Sequence, residues 1–172
     1  MDNLEIGIPA YRNLNVALKK AAELRNGGFL GRIHISVNDP SSEDASLSLT
    51  PEVSLLDISL QNGNLGLYGN FRYLVSTSKA RYFMWLALDD EPDWGVSGAI
   101  DSERTDYTLL YSSHFLNLAN QDAPGNLVYG PINPLGVRNV FNFDPSAIFG
   151  AWDSKWLQSV FPKSDFDWLD SY

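Results

Sequence analysis

The stretch Tyr82-Phe83-Met84-Trp85-Leu86-Ala87-Leu88 is apolar at every position and runs directly into Asp89-Asp90-Glu91. A strand with apolar side chains on both faces needs cover on both faces, and a mostly parallel sheet between helices provides it. The rest of the first half fits that requirement. Leu4-Glu5-Ile6-Gly7-Ile8 alternates and meets Pro9, so it reads as a strand entering a loop. Leu14, Ala17, Leu18, Ala21 and Leu24 recur at helical spacing behind Asn13 as an N-cap, and Asn26-Gly27-Gly28 offers the left-handed conformers that end helices. Gly31 to Val37 is a second strand, closed by the turn formers Asn38-Asp39-Pro40-Ser41-Ser42. Val53 to Leu60 reads as a third strand and Gln61-Asn62-Gly63-Asn64 as a turn. Leu67, Phe71, Leu74, Val75 and Ser78 form the buried face of a second long helix. The alternation predicts a doubly wound α/β sheet through about residue 90.

The pattern then changes. Tyr107 to Ser112 and Leu127 to Tyr129 read as strands around a polar loop, and Trp152 to Phe161 as a short amphipathic helix. A length of 172 residues suits one domain with one sizeable core. Hydrophobic residues make up 44% and charged ones 19%, a balance that folds.

Charge narrows the function. The net charge is -9 with no cluster of Lys and Arg, which removes the electrostatic footprint of a nucleic-acid binder. A phosphorylated small molecule can still be held where a metal ion supplies the positive charge. Cysteine is absent, so thiolate sites and disulfides are excluded. His34 and His114 lack metal-ligand spacing, and a packed or solvated role is assigned to both. No run approaches the roughly 20 apolar residues that span a bilayer, and no basic segment with an apolar run follows the start. The expected compartment is the cytoplasm. Phosphate-loop, nucleophile-elbow and zinc-helix motifs are also missing, and Ser76-Thr77-Ser78-Lys79 matches Ser-x-x-Lys spacing by chance inside a predicted helix.

Ligands of open α/β sheets bind beyond the carboxyl ends of the strands. In this chain those ends carry Pro9-Ala10-Tyr11, Asn38-Asp39 and Asp89-Asp90-Glu91. Adjacent carboxylates after a buried strand repel each other unless a cation or hydrogen-bond donors compensate, and a hard divalent ion fits best. The competing structural readings are a solvated turn for Asp89-Asp90-Glu91 and an Asx turn or helix cap for Asp39.

Taken in order, several segments resemble glycosyltransferase family 2, the nucleotide-diphospho-sugar transferases of the GT-A fold. Ile8-Pro9-Ala10-Tyr11-Arg12-Asn13 is similar to the family's apolar-Pro-x-Tyr-Asn opening, with Arg12 intervening before Asn13. Ser36-Val37-Asn38-Asp39, followed by Ser41, Ser42 and Asp44, resembles its second-strand segment. Asn64-Leu65-Gly66-Leu67-Tyr68-Gly69-Asn70-Phe71 resembles its Asn-x-Gly…Asn helix, and Ala80 to Leu86 its strand into the metal-binding Asp cluster. The likeness covers residues 4–92 well and the remainder loosely.

That resemblance implies a GT-A type Rossmann-like α/β fold, mostly parallel with helices on both faces. It implies a nucleotide-sugar-binding half over residues 1–92 and a shortened acceptor half over 93–172. It further implies an inverting transfer from a nucleotide-diphosphate donor, a UDP-sugar, to a glycan or other hydroxyl acceptor. Pro9, Ala10 and Tyr11 would line the nucleotide pocket, Asp39 would accept from the base's N–H, and Arg72 would reach a phosphate. Asp90, with Asp89 or Glu91, would hold Mn²⁺ or Mg²⁺ across the diphosphate. In this family a downstream acid serves as general base, and Asp153 in Gly150-Ala151-Trp152-Asp153 is the candidate, with a helix N-cap as its structural alternative. The chain lacks a Gln-x-x-Arg-Trp motif, so single transfer is expected rather than processive synthesis. Two other readings stand beside this one. The same fold can hold a nucleotide sugar or glycan without turning it over, or the chain is a receiver-like domain, whose acidic pair belongs to the first strand instead.

Overall fold

A computed structural model describes residues 3–50, 53, 56–90, 109–112, 126–129 and 151–160. Its elements are β1 (Leu4–Tyr11), α1 (Leu14–Asn26), β2 (Arg32–Asn38), α2 (Ser42–Ser48), β3 (Asp57–Leu60) and α3 (Gly66–Thr77). After them come β4 (Tyr82–Trp85), β5 (Leu109–Ser112), β6 (Asn126–Tyr129), β7 (Ala151–Asp153) and α4 (Ser154–Val160). All seven strands join one sheet in the order β3-β2-β1-β4-β7-β5-β6. From β3 to β4 the strands are parallel, whereas β7, β5 and β6 extend the sheet with antiparallel pairs. The result is a mixed, mostly parallel Rossmann-like α/β fold.

The period of two along β1 sorts its side chains between two layers. Leu4, Ile6, Ile8 and Ala10 pack with Leu14, Ala17, Ala21 and Leu24 of α1, and Ile33, Ile35 and Val37 of β2 join the same cluster. Each fully buried aliphatic side chain there contributes about 1.5–3 kcal/mol. On the opposite face lie α3 and the aromatic residues. Phe83 and Trp85 meet edge to face at 5.0 Å between centroids, and Phe71 of α3 lies 5.7 Å from Trp85. Gly7 leaves room for them, since a Cβ there would come within 2.5 Å of the Phe83 ring. Helices therefore cover both faces, as the sequence predicts.

Helix α1 ends where the Gly pair predicts. Gly28 is left-handed at φ 91°, the Gly28 N–H donates to the Arg25 carbonyl at 3.0 Å, and the Phe29 N–H donates to the Leu24 carbonyl at 3.0 Å. This is the Schellman closure. The other end of α1 departs from expectation, because Asn13 makes no side-chain cap bond. Asp44 of α2 does that work instead, accepting the Leu14 N–H at 2.8 Å. Its other oxygen closes a capping box with Ser41, accepting from that residue's N–H and hydroxyl at 2.8 Å each. One buried carboxylate thus ties together the starts of two helices. Burial alone would raise its pKa, but the hydrogen bonds from the Ser41 and Leu14 backbone outweigh that and lower it.

Three further differences concern element limits. Helix α2 falls where the sequence reads as loop, β3 begins at Asp57 rather than Val53, and β7 precedes the last helix, which starts at Ser154.

Candidate functional site

Chain connectivity creates a crevice. The β1-α1-β2 crossover carries the chain to one side of β1, and α3 brings it back to β4 on the other side. At such a switch point the strand ends diverge and leave room for a ligand. The C-terminal ends of β1 and β4 flank it, and they carry Tyr11 and the Asp89-Asp90 turn.

Beside the crevice, at the ends of β1 and β2, an open cleft of about 360 Å³ is present. Pro9, Ala10 and Tyr11 line it from β1, Asn38 from β2, and Asn64, Gly66, Leu67 and Asn70 from the approach to α3 and its first turns. None of these side chains carries a formal charge. The cleft is built by buried amides. Asn70 donates to the Ala10 carbonyl at 3.3 Å and the Ser36 carbonyl at 3.1 Å, while accepting from the Ser36 hydroxyl at 2.5 Å. Asn38 donates to the Asn64 side chain at 3.0 Å and the Gly66 carbonyl at 3.2 Å, and accepts the Leu65 N–H at 2.7 Å. These bonds fix the strand ends and the helix entry against one another, so the cleft walls are preformed.

Asp39 stands at the mouth. Its Oδ2 accepts from the Tyr11 hydroxyl at 3.3 Å and from the Arg12 guanidinium. Arg12 also lies over the Tyr11 ring, 5.3 Å from its centroid. Among the described residues, neither the Asx-turn nor the cap reading of Asp39 appears in its bonds.

The Asp89-Asp90 turn is held by the Asp90 N–H donating to the Ala87 carbonyl at 3.3 Å. Asp89 is exposed and Asp90 half-buried. The Asp90 Oδ2 is itself buried and has no hydrogen-bond partner among the described residues. A buried acceptor left in this condition costs about 1–3 kcal/mol, and more when it is charged. A hard cation relieves that cost. No group of three potential metal ligands gathers among the described residues, so a divalent ion would take one or two carboxylates here and complete its shell with phosphate and water oxygens, as Mg²⁺ commonly does. Glu91 lies outside the described residues.

Two expected site residues stand elsewhere. Arg72 is half-buried on α3 and is not part of the cleft lining. Asp153 pairs with Tyr82, which in turn pairs with Leu4, at the N-terminal end of the parallel strands. With β1 eight residues long and a rise of about 3.3 Å per residue, roughly 20 Å of sheet separates it from the rim. There its Oδ1 accepts the Trp156 N–H at 2.8 Å and caps α4. In this position Asp153 serves as the helix cap that is the structural alternative to a general base. Trp152 is likewise core, fully buried and stacked on Trp156 at 5.6 Å.

Leu67, whose spacing predicts the buried face of α3, is instead 60% exposed and forms a cleft wall. Asn38, Asn64 and Asn70 line the cleft without a site role being expected from the sequence. The signal for them is positional: amides at a strand end and a helix entry are where backbone groups need partners.

No family model matches the sequence, and no curated protein matches it. Solved structures share its fold. S. aureus TarS 1-349 is 12% identical, with a TM-score of 0.59 over 91% of this chain and 48% of that one. A second S. aureus TarS structure is 11% identical, with the same TM-score, and 29% of its length is covered. HddC from Yersinia pseudotuberculosis is 13% identical with a TM-score of 0.51, over 98% of this chain and 86% of that one. The chain thus spans about half or less of the TarS chains it resembles. At 11–13% identity the likeness is one of fold.

Proposed function

We propose that this chain is the donor-binding domain of a metal-dependent inverting glycosyltransferase, taking a nucleotide-diphospho-sugar, most simply a UDP-sugar, and a hydroxyl acceptor. One observation carries the reading. A preformed neutral cleft, a carboxylate at its mouth and, on half-buried Asp90, a buried carboxylate oxygen without a hydrogen-bond partner among the described residues lie on the same rim of a GT-A-like sheet.

Each part has a task in this reading. The uncharged cleft between Pro9, Tyr11 and Leu67 receives the nucleoside, whose planar base loses little by leaving water for an apolar and amide surface. Asp39 offers an acceptor at the edge of that base. Asp90, helped by Asp89 or Glu91, holds Mn²⁺ or Mg²⁺, which when bound supplies the positive charge a diphosphate leaving group needs. Transfer also requires a general base within hydrogen-bond reach of the acceptor hydroxyl. Asp153 does not meet that requirement. Its position favours one second reading, a domain of the same fold that holds a nucleotide sugar without turning it over.

Calorimetric titration of UDP and GDP, with and without Mn²⁺, tests the donor site. Metal-dependent binding that disappears in Asp90→Ala is the expected result. Absence of nucleotide binding under every condition would remove the transferase and the binding-module readings together.

A further inference from the structure

Among the described residues, Arg12 and Asp39 are the non-glycine residues with positive φ, at 48° and 52°. They are also bonded to each other. Asp tolerates the left-handed region, but for Arg it costs about 1–2 kcal/mol. An exposed ion pair returns about 0–1 kcal/mol, so the pair by itself does not explain why both strand ends hold this conformation. Strain of this kind persists where it serves a site. The backbone supports it through the Arg12 N–H donating to the Asn38 carbonyl at 3.2 Å and the Asp39 N–H donating to the Gly63 carbonyl at 3.3 Å. Both side chains are thereby aimed at one another across the cleft mouth.

The chemistry of the pair is specific. Both bonds to Asp39 fall on Oδ2, which leaves Oδ1 clear among the described residues. Arg12 commits Nη2 to the carboxylate, and the remaining N–H groups of its planar fork face outward with a side chain 57% exposed. One open acceptor and one open donor therefore stand side by side. Their charges cancel, so the pair repels a phosphate less than a lone Asp does and attracts it less than a lone Arg does. It suits a neutral group that presents a donor next to an acceptor.

We infer that Arg12 is a specificity-determining residue of the donor site, reading an imide edge together with Asp39. The inference rests on the nucleotide-binding reading proposed above. Asp39 Oδ1 accepts the ring N–H of the base, and Arg12 donates to the adjoining carbonyl oxygen. Uracil, thymine and guanine present that N–H beside C=O. Cytosine and adenine present a ring nitrogen lone pair beside an amino group, so each partner would meet its own kind. A site committed to hydrogen bonding discriminates strongly against a ligand that leaves its groups unpaired.

The experiment compares UDP with CDP in the presence of Mn²⁺, ligands that share a diphosphate and differ at the base edge. The natural chain is expected to bind UDP at least about ten-fold tighter than CDP, and GDP in preference to ADP. Arg12→Ala should weaken UDP and leave CDP nearly unchanged, reducing the ratio to the part that Asp39 alone supplies. Asp39→Asn, which offers an amide donor toward a ring lone pair, should move the preference toward CDP. Equal binding of UDP and CDP by the natural chain, or a full ratio retained in Arg12→Ala, overturns the inference while leaving a nucleotide site in place. Failure of all four nucleotides to bind overturns the nucleotide reading itself, and this inference with it.

Discussion

At the N-terminal end of the parallel strands Glu5 is fully buried, and one of its oxygens accepts from Arg32 at 2.6 Å, the Lys79 N–H at 2.9 Å and the Ser78 hydroxyl at 3.3 Å. Arg32 also reaches Asp57, and His34 stands 3.6 Å from the second Glu5 oxygen while bonding Ser59 at 3.0 Å. That oxygen, Glu5 Oε1, is buried without a hydrogen-bond partner among the described residues, as is Asp90 Oδ2 at the C-terminal end about 20 Å away, where Asp39 also keeps one oxygen clear. The ends differ in the charge set beside the acid: fully buried Glu5 has Arg32 against it, whereas no cation among the described residues pairs with Asp90. At Glu5 the half-buried Arg32 and backbone donors make the acid part of the scaffold. At Asp39 the chain supplies an exposed cation to one oxygen only, and at Asp90 no cation among the described residues, so these acids are left for something that arrives from outside.

The comparison is tested most severely at Glu5. Its removal leaves Arg32 with Asp57 and a long bond to the Thr77 carbonyl at 3.5 Å, and breaking a buried pair from one side costs about 3 kcal/mol. Glu5→Gln should lower the denaturant midpoint accordingly, while the folded fraction binds UDP as before. A loss of nucleotide affinity in folded Glu5→Gln would mean that the two ends are coupled.

Acidity probes the same group. Burial alone would raise the pKa of Glu5, but hydrogen bonds from His34, the Lys79 backbone and Arg32 bring it down from 4.5 to about 2. A carboxyl depressed in the folded state contributes stability that is complete above its unfolded value and is lost as pH falls through the folded one. Stability should therefore decline between pH 4.5 and 2, and Asp44 acts in the same direction. Midpoints measured across that window should fall less steeply in Glu5→Gln than in the natural chain.

A smaller effect is expected at Asp153. Asp153→Ala removes the cap on α4 and should cost about 1 kcal/mol, with UDP affinity unchanged. A large loss of transfer activity at unchanged stability would instead return Asp153 to the chemistry and break the division between the two ends.

The sequence carries this division unevenly. The rim acids are legible because each follows a strand with a clear apolar pattern, so Asp39 and Asp90 can be placed at one edge without coordinates. The same logic misleads at Asp153. Its strand β7 is three residues long and runs antiparallel to β4, which turns its C-terminal end toward the base of the sheet. Pairing direction is a tertiary property and leaves no mark on Ala151-Trp152-Asp153. Helix α2 was readable in principle, since Ser41-Ser42-Glu43-Asp44 forms a capping box with acids in its first turn, but Ser and Asp also dominate turns. The cleft amides are ambiguous for the same reason, because Asn38 and Asn64 read as turn formers until their bonds to the α3 entry are seen.

Anomalous diffraction from crystals grown with UDP and Mn²⁺ tests the central claim most directly. A manganese peak is expected within coordination distance of an Asp90 carboxylate oxygen, with the nucleoside in the cleft beside Tyr11. A peak at the Glu5 or Asp153 end, or a nucleotide bound away from the Asp90 rim, would contradict it.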